Sequence, residues 1–222
     1  MNVLVLNPNT TAAMTALVCQ RLRLAVPAGT TLQALTASAG PDVIATRQAF
    51  NAAGATAAAM LGQALAARGT QHAPWQAVVL ACFGDPGLEQ LQGLDGVPVI
   101  GLAQASMRAA ERTGERYAIV TAGAPWKDLL EQRFAQWGAS PRFAGVQVLQ
   151  GTGLAVLRDP AGMLPAVGAA LAGAARAGAS RVILGGAAFA GYKEFMARRG
   201  HATTGLLDCV EAAAQELAGQ GQ

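Results

Sequence analysis

Short, unbroken apolar runs alternate along this chain with longer stretches whose apolar residues recur at helical spacing. Val3–Leu6 is one such run. It ends in Asn7-Pro8-Asn9-Thr10-Thr11, which reads as a strand buried on both faces, a turn, and a helix starting at Thr10 or Thr11. Thr31–Thr36 reads as a second strand. Gly40-Pro41-Asp42 is expected to open a long helix reaching Arg68, with Phe50, Ala53, Ala57, Leu61, Ala64 and Leu65 on its inner face. Ala77–Ala81 and Val97–Ile100 are read as further strands, the first ending at Cys82.

The same grammar then repeats. Tyr117–Val120, Val146–Leu149 and Arg181–Leu184 read as strands, Pro125–Trp137 and Pro165–Ala177 as helices, and Leu206–Leu217 as a final amphipathic helix. Strands alternating with helices predict an α/β fold with parallel sheets. Val5-Leu6-Asn7 matches Ile119-Val120-Thr121, and the run ending at Cys82 matches the one ending at Gly185-Gly186. This weak duplication predicts two similar lobes facing each other. Residues 1–100 with 205–222 are expected to form the N-terminal lobe, and 101–204 the C-terminal lobe. Ligands of open α/β sheets bind at the carboxyl ends of strands, so Asn7, Cys82, Thr121 and Gly186 are expected to meet in one cleft between the lobes.

Composition narrows the function. The 222 residues are 52% hydrophobic and 13% charged, enough to build a core and too apolar for a disordered chain. The net charge of +3 comes from scattered residues, nearly all Arg, without basic runs that interleave aromatics, so nucleic acid is not an expected partner. Apolar stretches break well before the roughly 18 residues of a membrane span. The first residues lack a basic n-region and read as a strand rather than a leader. A cytoplasmic protein is expected, with its three cysteines (19, 82 and 209) reduced. No metal spacing, phosphate loop or nucleophile elbow is present, so neither cofactor nor metal is expected.

Cys82 is the main chemical candidate. It follows a strand and precedes Phe83-Gly84-Asp85-Pro86-Gly87-Leu88, in which Pro86 reads as a first-turn residue and Asp85 as its cap. A thiol before a helix N-terminus is expected to ionise more easily, and the same N–H groups can hold a carboxylate or enolate oxygen. The bland reading of Cys82 is a structural cysteine at a strand end. Cys19 and Cys209 read as core residues in helices. His72 reads as solvated; His201, in a loop, is weighed both as a surface residue and as one that reaches the cleft. Asn7-Pro8-Asn9-Thr10-Thr11 either caps its helix or bonds a ligand.

Together, Asn7-Pro8-Asn9-Thr10-Thr11 and Ala81-Cys82-Phe83-Gly84-Asp85-Pro86-Gly87-Leu88 resemble the hydantoin (allantoin) racemase branch of the aspartate/glutamate/hydantoin racemase superfamily. Gly40-Pro41 ahead of the long helix and Asp208-Cys209-Val210 in the last one agree with it. The resemblance implies an α/β fold of two pseudo-symmetric Rossmann-like lobes, each a parallel sheet flanked by helices with the active site between them, and a cofactor-independent isomerase that moves a proton at a carbon next to a carbonyl. Cys82 would be the catalytic residue, and Asn7, Phe83, Gly84, Thr121, Gly186 and Ala187 would bind substrate. The expected partners are a small molecule (a hydantoin, allantoin or an amino-acid-like carboxylate) and further copies of the chain. The family places a second Cys after the strand of the other lobe, facing the first. Here Leu184-Gly185-Gly186-Ala187-Ala188-Phe189 puts Gly186 at that position. Three readings follow: a racemase whose second base is water or His201, a one-thiol lyase such as an arylmalonate-type decarboxylase, or a degenerate binding protein. Phe189 and Phe83 read either as walls for a substrate ring or as packing between lobes. Installing a thiol at Gly186 is expected to raise racemisation.

Overall fold

A computed structural model describes residues 1–68, 73–94 and 96–219; His72 lies outside them. Eight strands and nine helices alternate in the order β1 (Asn2–Asn7), α1 (Ala12–Ala25), β2 (Thr31–Thr36), α2 (Arg47–Arg68), β3 (Ala77–Leu80), α3 (Leu88–Gln92), β4 (Val99–Gly101), α4 (Leu102–Arg112), β5 (Tyr117–Ala122), α5 (Trp126–Gln136), β6 (Phe143–Leu149), α6 (Gly153–Arg158), α7 (Leu164–Arg176), β7 (Arg181–Leu184), α8 (Tyr192–Ala197), β8 (Leu206–Asp208) and α9 (Cys209–Gly219). A single 3₁₀ turn, Ala187–Phe189, follows β7.

The strands form two four-stranded parallel sheets, ordered β2-β1-β3-β4 and β6-β5-β7-β8. The orders are identical once β1–β4 are matched to β5–β8, so the chain is two copies of one α/β unit. Within β1 the side chains divide by the period of two. Val3 and Val5 join the large core that includes both sheets, whereas Leu4 and Leu6 join a second cluster with Ala57 and Leu61 of α2. That is why the run reads as continuously apolar: it is covered on both faces.

Three expectations need correction. The long helix begins at Arg47, not Asp42, because Thr46 is the cap: its hydroxyl accepts the Ala49 N–H at 3.1 Å, while the Pro41 carbonyl is turned back to the Thr10 N–H. Leu206–Asp208 is not the start of the last helix but the edge strand of the second sheet, paired in parallel with β7. The boundary at 205 therefore fails: β8 lies in the second sheet, and only α9 turns back to pack on α1 and α4. Finally, α4 was not read from the sequence at all. It touches β4 of one sheet and β7 and β8 of the other, so with α9 it binds the two lobes edge to edge. No described helix is long and apolar enough to cross a membrane.

Candidate active site between the lobes

The strand ends of the two sheets enclose a cavity with about 60 Å³ of free space. From the first lobe, Ala81, Cys82 and Phe83 line it; from the second, Thr121, Gly186 and Ala187 do. Of the residues picked from sequence, Asn7 and Gly84 are not on this wall. Asn7 is fully buried and tied into its own turn: its side-chain N–H groups donate to Asn9 Oδ1 at 3.0 Å and Thr15 Oγ1 at 2.9 Å, and its Oδ1 accepts the Asn9 N–H. The side chain that this knot aims into the cavity is Asn9, whose Nδ2 meets only Met14 Sδ at 3.6 Å, a weak acceptor. Gly84 serves by its lack of a side chain. A Cβ there would stand 2.8 Å from the Trp126 ring and 3.2 Å from Phe50, so only glycine lets the second lobe's Trp126 close over the thiol loop.

Asp85 does not cap α3. That five-residue helix begins at Leu88, behind a left-handed Gly87. The Asp85 carboxylate turns instead to the helix after the next strand, accepting the N–H of Ala103 at 3.0 Å and of Gln104 at 2.7 Å at the start of α4. Its own backbone is left-handed, φ +56°, and Gly101 has no room for a Cβ because the carboxylate fills that space. Cys82 therefore stands before no helix N-terminus, and the expected easier ionisation is absent. Burial pushes its thiol well above the ordinary value, and the nearby Asp85 carboxylate pushes it further. Burial likewise raises Asp85, to about 7, against the pull of the two N–H bonds and Arg133. Burial and the neighbouring carboxylate both favour the neutral thiol over the thiolate at Cys82.

The other side of the cavity is built differently. Gly186 has φ +144°, a conformation that L side chains rarely adopt, and a Cβ there would press on the Phe189 ring at 3.3 Å. Its carbonyl accepts the Phe189 N–H at 2.8 Å and the Cys209 thiol at 3.5 Å. Cys209 is thus a fully buried group behind the cavity wall, in the core as expected, and Cys19 lies in the core too. His201 is exposed and does not line the cavity. The Phe83 ring packs where a Cβ of Gly185 would be, 2.6 Å away, so it bridges the lobes and also lines the cavity. Phe189, 1% exposed, does both as well.

Two features complete the chemistry. Among the described residues, the N–H groups of Phe83, Ala187 and Ala188, three cavity-lining residues at the ends of β3 and β7, find no acceptor in the protein. Among the described residues, Cys82 is the only titratable side chain on the cavity wall, which otherwise carries Asn9, Thr121 and the indole N–H of Trp126 as polar side-chain groups and no charge. No group of three or more His, Cys, Asp or Glu that could hold a metal occurs among the described residues. Met14, Val43, Ile44, Trp126 and Gly153 also line the cavity and were not found from sequence. They reach it only because the lobes fold together, although Asn9 sits in a motif the sequence already flagged.

A thiol at the end of a buried strand, facing a duplicated sheet across a small uncharged cavity, defines a two-lobed α/β protein with one chemical side chain between its halves. The comparisons name the family: residues 3–217 match the Asp/Glu/Hydantoin racemase family, and the chain belongs to it. A hydantoin racemase from Paenarthrobacter aurescens is 32% identical over 148 residues, 67% of this chain and 61% of that protein. A hydantoin racemase from Rhizobium meliloti is 29% identical over 72% of this chain and 64% of its own length. These matches span less than two thirds of the curated relatives. The crystal structure of allantoin racemase from Pseudomonas fluorescens superposes with a TM-score of 0.84 at 28% identity, covering 100% of this chain and 92% of that one. A mutant of arylmalonate decarboxylase shares the fold at TM-score 0.62 and 16% identity, covering 100% of this chain and 94% of that one.

Proposed function

We propose that the protein is a cofactor-independent isomerase of the hydantoin racemase kind, moving a proton at the carbon next to a carbonyl of a neutral cyclic amide, with Cys82 as acid and base. One observation carries this reading: the cavity wall has a single titratable side chain, Cys82, and no charged one among the described residues. An amino-acid carboxylate with its ammonium group would lose hydration there and gain no counter-ion. A hydantoin ring brings only amide groups, which Asn9, Thr121 and the free N–H groups at the strand ends can bond.

The geometry supports the following proton path. Substrate places its reacting carbon over Cys82 and its carbonyl oxygen against peptide N–H groups. Charge that develops on that oxygen is held by donors already in place, the arrangement that most lowers the barrier to forming an enolate. The Cys82 sulfur takes the proton as thiolate, or returns it as thiol. Burial makes the thiolate the scarce form, so removal of the proton limits the rate. On the Gly186 face no titratable side chain replaces the family's second Cys, and His201 is too exposed to serve. The second proton is delivered by water in the cavity.

A second reading, a one-thiol lyase, is favoured by the same Gly186, since cleavage followed by protonation from one face needs only Cys82. The uncharged wall argues against a dicarboxylate substrate. Enantiopure 5-substituted hydantoins, allantoin, glutamate and phenylmalonate incubated with the protein in D₂O separate these. The proposal predicts deuterium at the reacting carbon of hydantoins and none in glutamate. Carbon dioxide from phenylmalonate without exchange in hydantoins would replace it with the lyase reading.

A further inference from the structure

The cavity has a buried floor and a half-buried mouth. Cys82, Phe83 and Phe189 form the floor, with exposures of 6%, 4% and 1%. The mouth is closed by Val43, from the loop between β2 and α2, by Trp126 at the start of α5, and by Gly153 at the start of α6. Gly153 is the residue without an explanation in the fold. Its backbone is not left-handed, so no turn demands glycine. Nor does packing demand it: a Cβ there would make ordinary contacts with Ala188 Cβ at 3.6 Å, Val43 Cγ2 at 3.9 Å and Met14 Cε at 4.0 Å. Gly153 is the first residue of α6, directly after Thr152, and it stands where a methyl group would fit.

All three of those neighbours line the cavity. The space at Gly153 is therefore space in the mouth, bounded by the first lobe on one side and the second on the other. When the reacting carbon sits over Cys82 and its carbonyl lies against the strand-end N–H groups, the remaining substituent is directed away from the floor. It leaves between Val43 and Gly153.

We propose that Gly153, opposite Val43, sets the size of the substituent accepted on the reacting carbon. The inference rests on the hydantoin reading above and deepens it. Gly153 selects by absence, leaving a gap for an apolar group at the mouth, and Val43 forms the far wall. A larger residue at 153 narrows the gap toward hydrogen or methyl substituents, while a smaller one at 43 widens it.

The test uses 5-methylhydantoin and 5-benzylhydantoin with the wild type, Gly153→Ala, Gly153→Val and Val43→Ala. Dissociation constants are measured by calorimetry, deuterium exchange by NMR, and folding by thermal melting. Added bulk in a pocket typically changes discrimination by about 10–200-fold. Gly153→Ala is expected to lower the benzyl-to-methyl ratio of affinity and exchange about 10-fold, Gly153→Val to lower it further, and Val43→Ala to raise it, all with melting temperatures near or above wild type. Ratios unchanged in all three variants overturn the assignment of Gly153. If the wild type binds the hydantoins and exchanges none, the functional reading fails while the affinity ratios still decide the role of Gly153. If it binds none of them, both fall.

Discussion

The ends of β3 and β7 are the same place in two copies of one unit, and they have diverged in opposite directions. After β3 the chain offers a thiol on a loop held open by glycine and anchored by a carboxylate, Asp85, reaching forward to the N–H groups of α4. After β7 the chain offers no titratable group. There the carboxylate lies on the far strand instead: Asp208 accepts the Gly191 N–H at 2.6 Å beyond the 3₁₀ turn and the Val210 N–H at 2.7 Å at the start of α9. Both lobes use one buried Asp to tie a strand-end loop to the helix after the neighbouring strand, approached from opposite ends. The scaffolding is present in both copies, while the titratable side chain on the cavity wall belongs to the first among the described residues. The second copy has become a wall, with Gly186 in a glycine-only conformation and Phe189 against it.

The largest expected effect of breaking this asymmetry is at Cys82. Cys82→Ala should cut exchange by about 10²–10⁴-fold, the usual contribution of a general acid or base, with the melting temperature near wild type. Exchange within a few-fold of wild type would place the chemistry elsewhere.

Next is Gly186→Cys. The sequence alone predicts that it raises racemisation; the backbone corrects this. A φ of +144° and the Phe189 ring 3.3 Å from the new Cβ should cost stability by about 1–3 kcal/mol without a gain in inversion. Combining it with Phe189→Ala, which makes room for the new side chain, should bring some of the gain in inversion that Gly186→Cys alone does not, and chiral chromatography with urea unfolding reads both.

Asp85→Asn removes one of two N–H acceptors at α4 and is expected to destabilise by about 1 kcal/mol at neutral pH. It also tests the charge. Because the Asp85 carboxyl rises from its ordinary 3.8 to about 7, the fold binds its proton more tightly than the unfolded chain does. The stability this contributes is full below the ordinary carboxyl range and is lost as pH rises toward 7. Urea unfolding across that window should show the wild type losing stability relative to Asp85→Asn. With the carboxylate gone, the Cys82 thiol should ionise at lower pH and the rate profile should move the same way.

The smallest effect is expected at Thr121→Val. The Thr121 hydroxyl lines the cavity and has no protein partner among the described residues, so its loss should weaken substrate affinity by about 2–10-fold, the worth of one neutral hydrogen bond, without altering stability.

The sheets were legible because parallel strands covered on both faces leave unbroken apolar runs, and the duplication was legible in the matching ends of β1 with β5 and β3 with β7. β8 was not, since three residues running straight into α9 share that helix's apolar stripe. Cys82, Phe83, Thr121, Gly186 and Ala187 reach the cavity because strand ends are visible in sequence. Asn9 was hidden by its neighbour Asn7, which does the structural bonding. Val43, Trp126 and Gly153 sit at the mouth through lobe closure, a long-range event that leaves no local pattern. Asp85 was seen as a cap but assigned to the wrong helix, because its partner is set by strand order, not by spacing.

One-sided proton transfer is tested most directly by following a single enantiomer of a 5-substituted hydantoin in D₂O with the wild-type protein, by NMR for deuterium and by chiral chromatography for configuration. With a thiol on one face and only water on the other, deuterium should enter with retention several times faster than configuration inverts. Inversion keeping pace with exchange from the first turnover would contradict it and require a second acid or base on the Gly186 side.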